Sequence, residues 1–367
     1  LPPSPRLPDS LPSGMSQPFL DIPAGLAPMQ ALLAEGLARV EHRFDDHLVS
    51  DLLPVERLCA HIERYRGKML RPSLVMLAGL ACGAEAISED HITIAAVCEM
   101  VHMATLVHDD ILDEAENRRR GRTVNNLYGN EAAVILGDYL IASAYHLCTT
   151  VNSLEAARLI GQVSMTLCGG ELLQLHYRDD YSLDEPTYFA ILERKTAALI
   201  GVACRLGAQL AGADEPTRAA LEAFGRHLGV AFQIQDDLID LLGTEAAAGK
   251  SVGKDLEKGK LTLPILLHLG SITPHARGAF LDQLTLAGQP RPAVQAEETG
   301  KSEAHAAATD LRDQLLASGA VEAARAKANT LVTEARAQLA ALPPSLSPNP
   351  ARDLLDLMAR AVVEREF

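Results

Sequence analysis

Residues 98–121 read CEMVHMATLVHDDILDEAENRRRG: an apolar helical pattern runs into Asp109, Asp110 and Asp113 and then into Arg118, Arg119 and Arg120. Residues four apart share a helix face, so Asp109 and Asp113 point the same way while Asp110 turns aside. His102 and Thr105 fall on the same stripe. Acidic side chains at a helix C-terminus add to the negative end of the macrodipole, each costing a few tenths of a kcal/mol. The arrangement therefore calls for a cation. Oxygen ligands with room for water suit Mg²⁺, which takes one or two carboxylates together with substrate phosphates.

The pattern returns in FQIQDDLID (232–240), which sets Asp236, Asp237 and Asp240 at the same spacing after a second apolar run. One such spacing is expected by chance on the order of once in twenty chains of this length; two, each closing an apolar helix, form a constellation. The chain has 367 residues, 48% of them hydrophobic, only 4% aromatic and no Trp. Rich in Ala and Leu, it favours helices over a sandwich or barrel. A formal charge of −15 argues against nucleic acid as a partner, so a phosphate-bearing substrate has to be met by metal and a local basic cluster. The six cysteines, 59, 82, 98, 148, 168 and 204, show no paired spacing and are read as reduced core thiols in a cytoplasmic protein.

Residues 1–28 hold eight prolines and are expected to form a disordered arm without the basic start and apolar block of a signal peptide. Residues 29–367 are expected to form one helical domain. No run of eighteen uninterrupted apolar residues occurs, so a membrane span is not expected. In RYRGKMLRP (64–72), Gly67 permits a tight turn, Lys68 and Arg71 supply charge, and Pro72 suits a first helical position. Free amides at that helix start make an anion site. Helical patterns follow over 131–150, 154–178, 186–211 and 217–242, then 305–318, 320–341 and a last helix to the end, with 271–304 as an irregular connection holding at most one short helix. Strand alternation is nearly absent. GKSVGKDLEKGK (249–260) is a glycine-broken basic loop carrying Lys250, Lys254, Lys258 and Lys260.

Taken in order, GKMLRP (67–72), the first aspartate motif with its arginines, GDYL (137–140), the pair Lys195-Thr196, FQIQDDLID and GKSVGKDLEKGK resemble the trans-type polyprenyl (isoprenyl) diphosphate synthases. The resemblance spans roughly residues 30–270 and the terminal helix. Arg66 and Arg120 stand where that family usually has glycine. The resemblance implies an all-α bundle around a central cavity, a homodimer, and head-to-tail 1'-4 condensation of isopentenyl diphosphate with an allylic diphosphate. It implies about three Mg²⁺ per site, two on Asp109 and Asp113 and one on Asp236, with Asp240 in support. Arg118, Lys195 and Lys250 are then expected to hold the allylic diphosphate, with Lys260 nearby. Gly67, Lys68, Arg71, His102 and Arg119 are expected to bind isopentenyl diphosphate. Thr196 and Gln233 are expected to turn oxygen dipoles toward the reacting carbon.

Stepping back from Asp109, the inward residues are Thr105, Ala104, Val101 and Cys98, the last about 16 Å down the helix. None is bulky. In the family, aromatics here stop growth at farnesyl size, so a product longer than geranylgeranyl is expected, with Tyr139 or Leu140 as floor. The alternatives are a farnesyl or geranylgeranyl synthase, or a non-catalytic subunit of a heteromeric synthase. A class I terpene cyclase would carry a different second metal motif, built from Asn/Asp, Ser/Thr and Glu.

Overall fold

The computed structural model describes residues 23–118, 121–178, 180–242, 254–288, 300–346 and 348–364. The expected fold class holds: among these residues the chain is a bundle of α-helices, and its single sheet is a two-residue hairpin pairing Asn117–Arg118 with Gly121–Arg122. In chain order the helices are α1 (Ala27–His47), α2 (Leu53–Ile62), α3 (Leu70–Ala81), α4 (Glu89–Leu112), α5 (Val124–Tyr128), α6 (Asn130–Thr149), α7 (Leu154–His176), α8 (Glu185–Leu192), α9 (Ala198–Leu210) and α10 (Glu215–Leu242). There follow α11 (Lys254–Glu257), α12 (Leu263–Ser271), α13 (Pro274–Ala287), α14 (Gly300–Ala317), α15 (Ala320–Ala340) and α16 (Pro350–Val363).

Three differences from the sequence reading have local causes. The arm expected to reach residue 28 is already turning at Ala24–Leu26 and helical from Ala27. The segment 271–304 contains the fourteen-residue α13, started by Thr273, whose hydroxyl caps the Ala276 N–H. At the entry to α3 the left-handed residue is Met69 (φ 49°), not Gly67, and Pro72 occupies the third helical position. Its missing N–H falls in the first turn, where an N–H has no intrahelical acceptor.

α4 is the axis of the larger apolar cluster: from His91 to Val101 every residue is buried, as expected of a helix surrounded by others. Ser88 caps its start. α3 and α9 approach so closely that a Cβ on Gly207 would meet the Val75 carbonyl oxygen at 2.1 Å. A second cluster joins α8, α10 and α12–α15, and Leu331 and Val363 pack against both. By length and composition α4 and α6 reach the dimensions of a membrane span, which the sequence reading did not foresee; the apolar window of α4 is 78% buried inside the protein and that of α6 44%.

Candidate active site

Both acidic motifs close long helices, and both face one irregular turn. Between α8 and α9 the chain makes a π-helical turn, Glu193–Ala197, inside a stretch whose pattern reads as one continuous helix. A π turn holds one residue more than an α turn and is common at functional sites. Its neighbours leave it no slack. A Cβ on Gly170 of α7 would meet the Lys195 backbone nitrogen at 2.8 Å, and one on Gly229 of α10 would meet the Ala197 Cα at 2.6 Å. Arg226 of α10 pairs with Glu193 at the start of the turn.

From this turn Lys195 reaches the first motif, its ammonium 3.7 Å from Asp109 and 2.5 Å from Glu171 of α7. The close approach to Glu171 Oε2 is an ion contact without hydrogen-bond alignment. Burial lifts the Asp109 carboxyl to about 6, with Lys195 opposing and Glu171 and Asp113 adding to the rise. Asp113 is the C-cap of α4, half exposed, with an Arg178 guanidinium nitrogen 4.0 Å away. Asp110 points into the protein, where the Arg118 Nε donates to Oδ1 at 2.8 Å and Oδ2 has no hydrogen-bond partner. The Tyr65 hydroxyl, which accepts the Val124 N–H at 2.9 Å, lies beside it.

Thr196, the next residue of the turn, donates to the Gln233 Oε1 at 3.4 Å, and the Gln233 amide nitrogen donates to Asp237 at 3.2 Å. Asp237 is buried and also accepts the Tyr188 hydroxyl at 2.8 Å, with the Lys260 ammonium at 3.5 Å. Lys260 reaches Asp255 at 3.0 Å, and the Asp255 N–H donates to Asp240 Oδ2 at 2.9 Å. Asp236 is partly exposed and Asp240 is buried. The two sequence-distant motifs thus flank one turn, Lys195 touching the first and Thr196 the helix of the second.

A divalent ion fits the chemistry of this donor set. Asp109, a partly buried carboxylate lifted by its surroundings, has the Lys195 ammonium at 3.7 Å and the Arg118 charge farther off, and Asp113 and Asp236 present further oxygens on the partly exposed side. Among the described residues no three donors stand close enough together to hold an ion in the present side-chain positions, so side chains must shift to close a coordination shell.

The structure distributes the remaining expected site residues as follows. Arg71, in the first turn of α3, is partly buried near Glu99 of α4; burial lowers its basicity, the Glu99 carboxylate opposes this, and its Nε has no hydrogen-bond partner. Lys68 is exposed, Gly67 and His102 are partly buried, and the Thr105 hydroxyl donates to the His102 carbonyl at 2.7 Å. Cys98, Val101 and Ala104 are fully buried, and burial pushes the Cys98 thiol far up. Leu140 of α6 is fully buried and Tyr139 partly so. Cys168 departs from the core-thiol reading, since it is exposed, and Cys82 is only partly buried. Arg119 and Lys250 lie outside the described residues. Arg118 and Lys260, expected on the substrate diphosphate, stand on Asp110 and Asp237. Sequence reasoning missed Glu171, Arg178 and Tyr188; the doublet Gly169-Gly170 just before Glu171 was the available signal of a close approach.

A family model for polyprenyl synthetase matches residues 54–295. Octaprenyl diphosphate synthase of Escherichia coli (strain K12) is 36% identical over 249 residues, 68% of this chain and 76% of that one. Heptaprenyl diphosphate synthase component 2 of Bacillus subtilis (strain 168) is 34% identical over 315 residues, 85% of this chain and 87% of that one. Among solved structures, a polyprenyl synthase from Caulobacter crescentus CB15, complexed with calcium and isoprenyl diphosphate, superposes with a TM-score of 0.81 at 30% identity, covering 93% of this chain and 98% of that one.

Proposed function

Because the chain belongs to the polyprenyl synthetase family and is a trans-type prenyltransferase, we propose that it condenses isopentenyl diphosphate head to tail with an allylic diphosphate, to a product beyond geranylgeranyl. The observation that carries this reading is the π turn that sets Lys195 against the first acidic helix end and Thr196 against the helix of the second. Asp109, Asp113 and Asp236 would hold Mg²⁺, with Asp240 bracing the turn that follows through the Asp255 N–H. When bound, the metal neutralises the leaving diphosphate oxygens.

The chain's own groups do the rest. Lys195, once drawn off Asp109, offers its ammonium to the allylic diphosphate, with Arg118 and Lys260 at the rim. Lys68, Arg71 and His102 receive isopentenyl diphosphate where α3 and α4 pack, and the unpaired Arg71 Nε is a donor waiting for an anion. The Thr196 hydroxyl oxygen and Gln233 carbonyl face the developing allylic cation, which the alkene of isopentenyl diphosphate attacks; the departed diphosphate takes the proton. Fixed dipoles in a water-poor site stabilise such charge without reorganising. A product longer than geranylgeranyl is supported by the small buried side chains of Cys98, Val101 and Ala104 and by the octaprenyl and heptaprenyl names of the relatives. A homodimer is the assembly that the family resemblance implies, and the unpaired cysteines favour a cytoplasmic location; exposed apolar residues on α6 and α7, Ile135 (67%), Leu154 (87%) and Met165 (78%), supply a surface for the dimer.

The name of the Bacillus subtilis relative, component 2, favours one alternative, a chain that needs a second component. Incubating the purified chain alone with Mg²⁺, farnesyl diphosphate and isopentenyl diphosphate, with mass analysis of the product, separates the readings. Chains longer than geranylgeranyl are expected. Farnesyl- or geranylgeranyl-sized product contradicts the length, and no condensation contradicts the self-sufficient enzyme.

A further inference from the structure

The middle carboxylate of the second motif has no task in the proposed reaction, yet its surroundings are the most fully built in the site. Asp237 is 3% exposed, and three donors surround it, with the Asp255 carboxylate as a like charge nearby. The Tyr188 hydroxyl donates to Oδ2 at 2.8 Å, the Gln233 amide nitrogen to Oδ1 at 3.2 Å, and the Lys260 ammonium lies 3.5 Å from Oδ1. A carboxylate ringed by donors presents acceptors alone. Gln233, one helical turn earlier on α10, must therefore turn its NH₂ toward Asp237. The two ends of an amide point apart, so its carbonyl oxygen is directed the other way, where the Thr196 hydroxyl donates to it at 3.4 Å.

Which end of a glutamine amide faces a site is set by its hydrogen-bond network, and here the sign matters. A carbonyl oxygen stabilises an allylic cation; an N–H in its place would repel it. From this geometry we infer that Tyr188 and Asp237 are positioning residues that fix the Gln233 amide with its carbonyl toward the reacting carbon. The inference rests on the prenyl-transfer reading above. Tyr188 holds Oδ2, which leaves Oδ1 for Gln233. The tyrosine is itself fixed, buried to 3% exposure and edge-on to Phe189 at 5.6 Å. It sits on α8, which runs directly into the π turn, so one continuous segment carries Tyr188, Lys195 and Thr196.

The test is a double-mutant cycle on the full chain with Mg²⁺ and both substrates, comparing Tyr188→Phe, Gln233→Leu and their combination. Tyr188→Phe is expected to lower kcat about tenfold while both KM values stay within about twofold. It should weaken, by a similar factor, the binding of an allylic diphosphate analogue bearing a tertiary ammonium at the cationic carbon, and leave a neutral analogue of the same shape unaffected. In the Gln233→Leu background it should change none of these. Equal losses with and without Gln233, or parallel weakening of both analogues, would overturn the relay and leave Tyr188 as a packing residue. Should Tyr188→Phe not fold, Asp237→Asn enters the same cycle, because its side chain offers both a donor and an acceptor and so releases the amide to turn. A wild-type chain that joins the substrates while the cycle is additive refutes the relay alone; a wild-type chain that joins nothing refutes it together with the reaction.

Discussion

The same five-residue spacing of aspartates is built into the protein in two different ways. At the end of α4 the helix stops at Leu112, so Asp113 is a cap residue, half exposed, with one guanidinium 4.0 Å away. Asp110 takes a hydrogen bond from Arg118, eight residues on, on one oxygen, while its Oδ2 has no donor within hydrogen-bond geometry. At the end of α10 the helix continues to Leu242, so Asp240 lies within it, buried and bonded to a backbone N–H fifteen residues on. Asp237 draws donors from α8, from α10 itself and from Lys260. The first end is an open set of oxygens beside a removable lysine; the second is stapled into the bundle by partners distant in sequence. The first motif is held loosely by few partners, and the second is held by many.

The largest effect expected from that contrast is catalytic. Asp109→Ala should lower kcat by about 10³-fold, about 4 kcal/mol of barrier, without lowering the melting temperature, because it removes a carboxylate that burial disfavours. Steady-state kinetics beside thermal unfolding checks this, and a parallel loss of stability would erase the distinction between the two ends. Next comes stability. Asp237→Ala strands the Tyr188 hydroxyl and Lys260 and should cost about 3 kcal/mol in urea unfolding, whereas Asp113→Ala should cost less than about 0.5 kcal/mol; comparable costs would show that both ends are equally stapled.

A third expectation concerns the helix beneath the open end. Ala104→Phe should shorten the product by at least about one isoprene unit while overpacking costs about 1–3 kcal/mol, as read by mass analysis and unfolding. Unchanged length would show that this face of α4 does not line the chain path. The smallest effect lies at the opposite ends of the same two helices. His91, near the start of α4, is tied to Ser88 at 2.7 Å and to the Gly207 carbonyl at 3.1 Å, and burial depresses its basicity. Just before α10 stands Asp214, whose carboxyl is depressed by its hydrogen bonds with Thr217. Both groups have folded values below their unfolded ones, so each contributes stability above its unfolded value that is lost as pH falls. For His91 that loss begins near pH 6.5 and for Asp214 only near pH 3.8. Hydrogen exchange at pH 7.5 and about pH 5.5 should therefore show the start of α4 loosening first; simultaneous loosening would contradict the assignment.

The aspartates, the helices that carry them and the all-α class are legible in the sequence because they rest on local periodicity. The reading of 217–242 as one helix misses the start of α10 by two residues. What is not legible comes from elsewhere in the chain. The π turn depends on the bare backbones of Gly170 and Gly229 and on Arg226, from helices before and after it. Glu171 and Tyr188 join the site only because α7 and α8 lie against that turn. Arg118 and Lys260 read as substrate ligands from their positions beside the motifs, and proximity in sequence could not reveal that buried aspartates hold them. Met69 rather than Gly67 takes the left-handed conformation, a choice that neighbours make and composition does not announce.

The turn at Glu193–Ala197 carries one residue more than a regular helix needs. Removing that residue would heal the helix and swing everything on one side of it by about 100°, carrying Tyr188 off Asp237 or Lys195 off Asp109. The most regular, and by local propensity the more stable, version of this segment is therefore an inert one. On the proposed reading, activity depends on a surplus residue that selection for stability alone would delete.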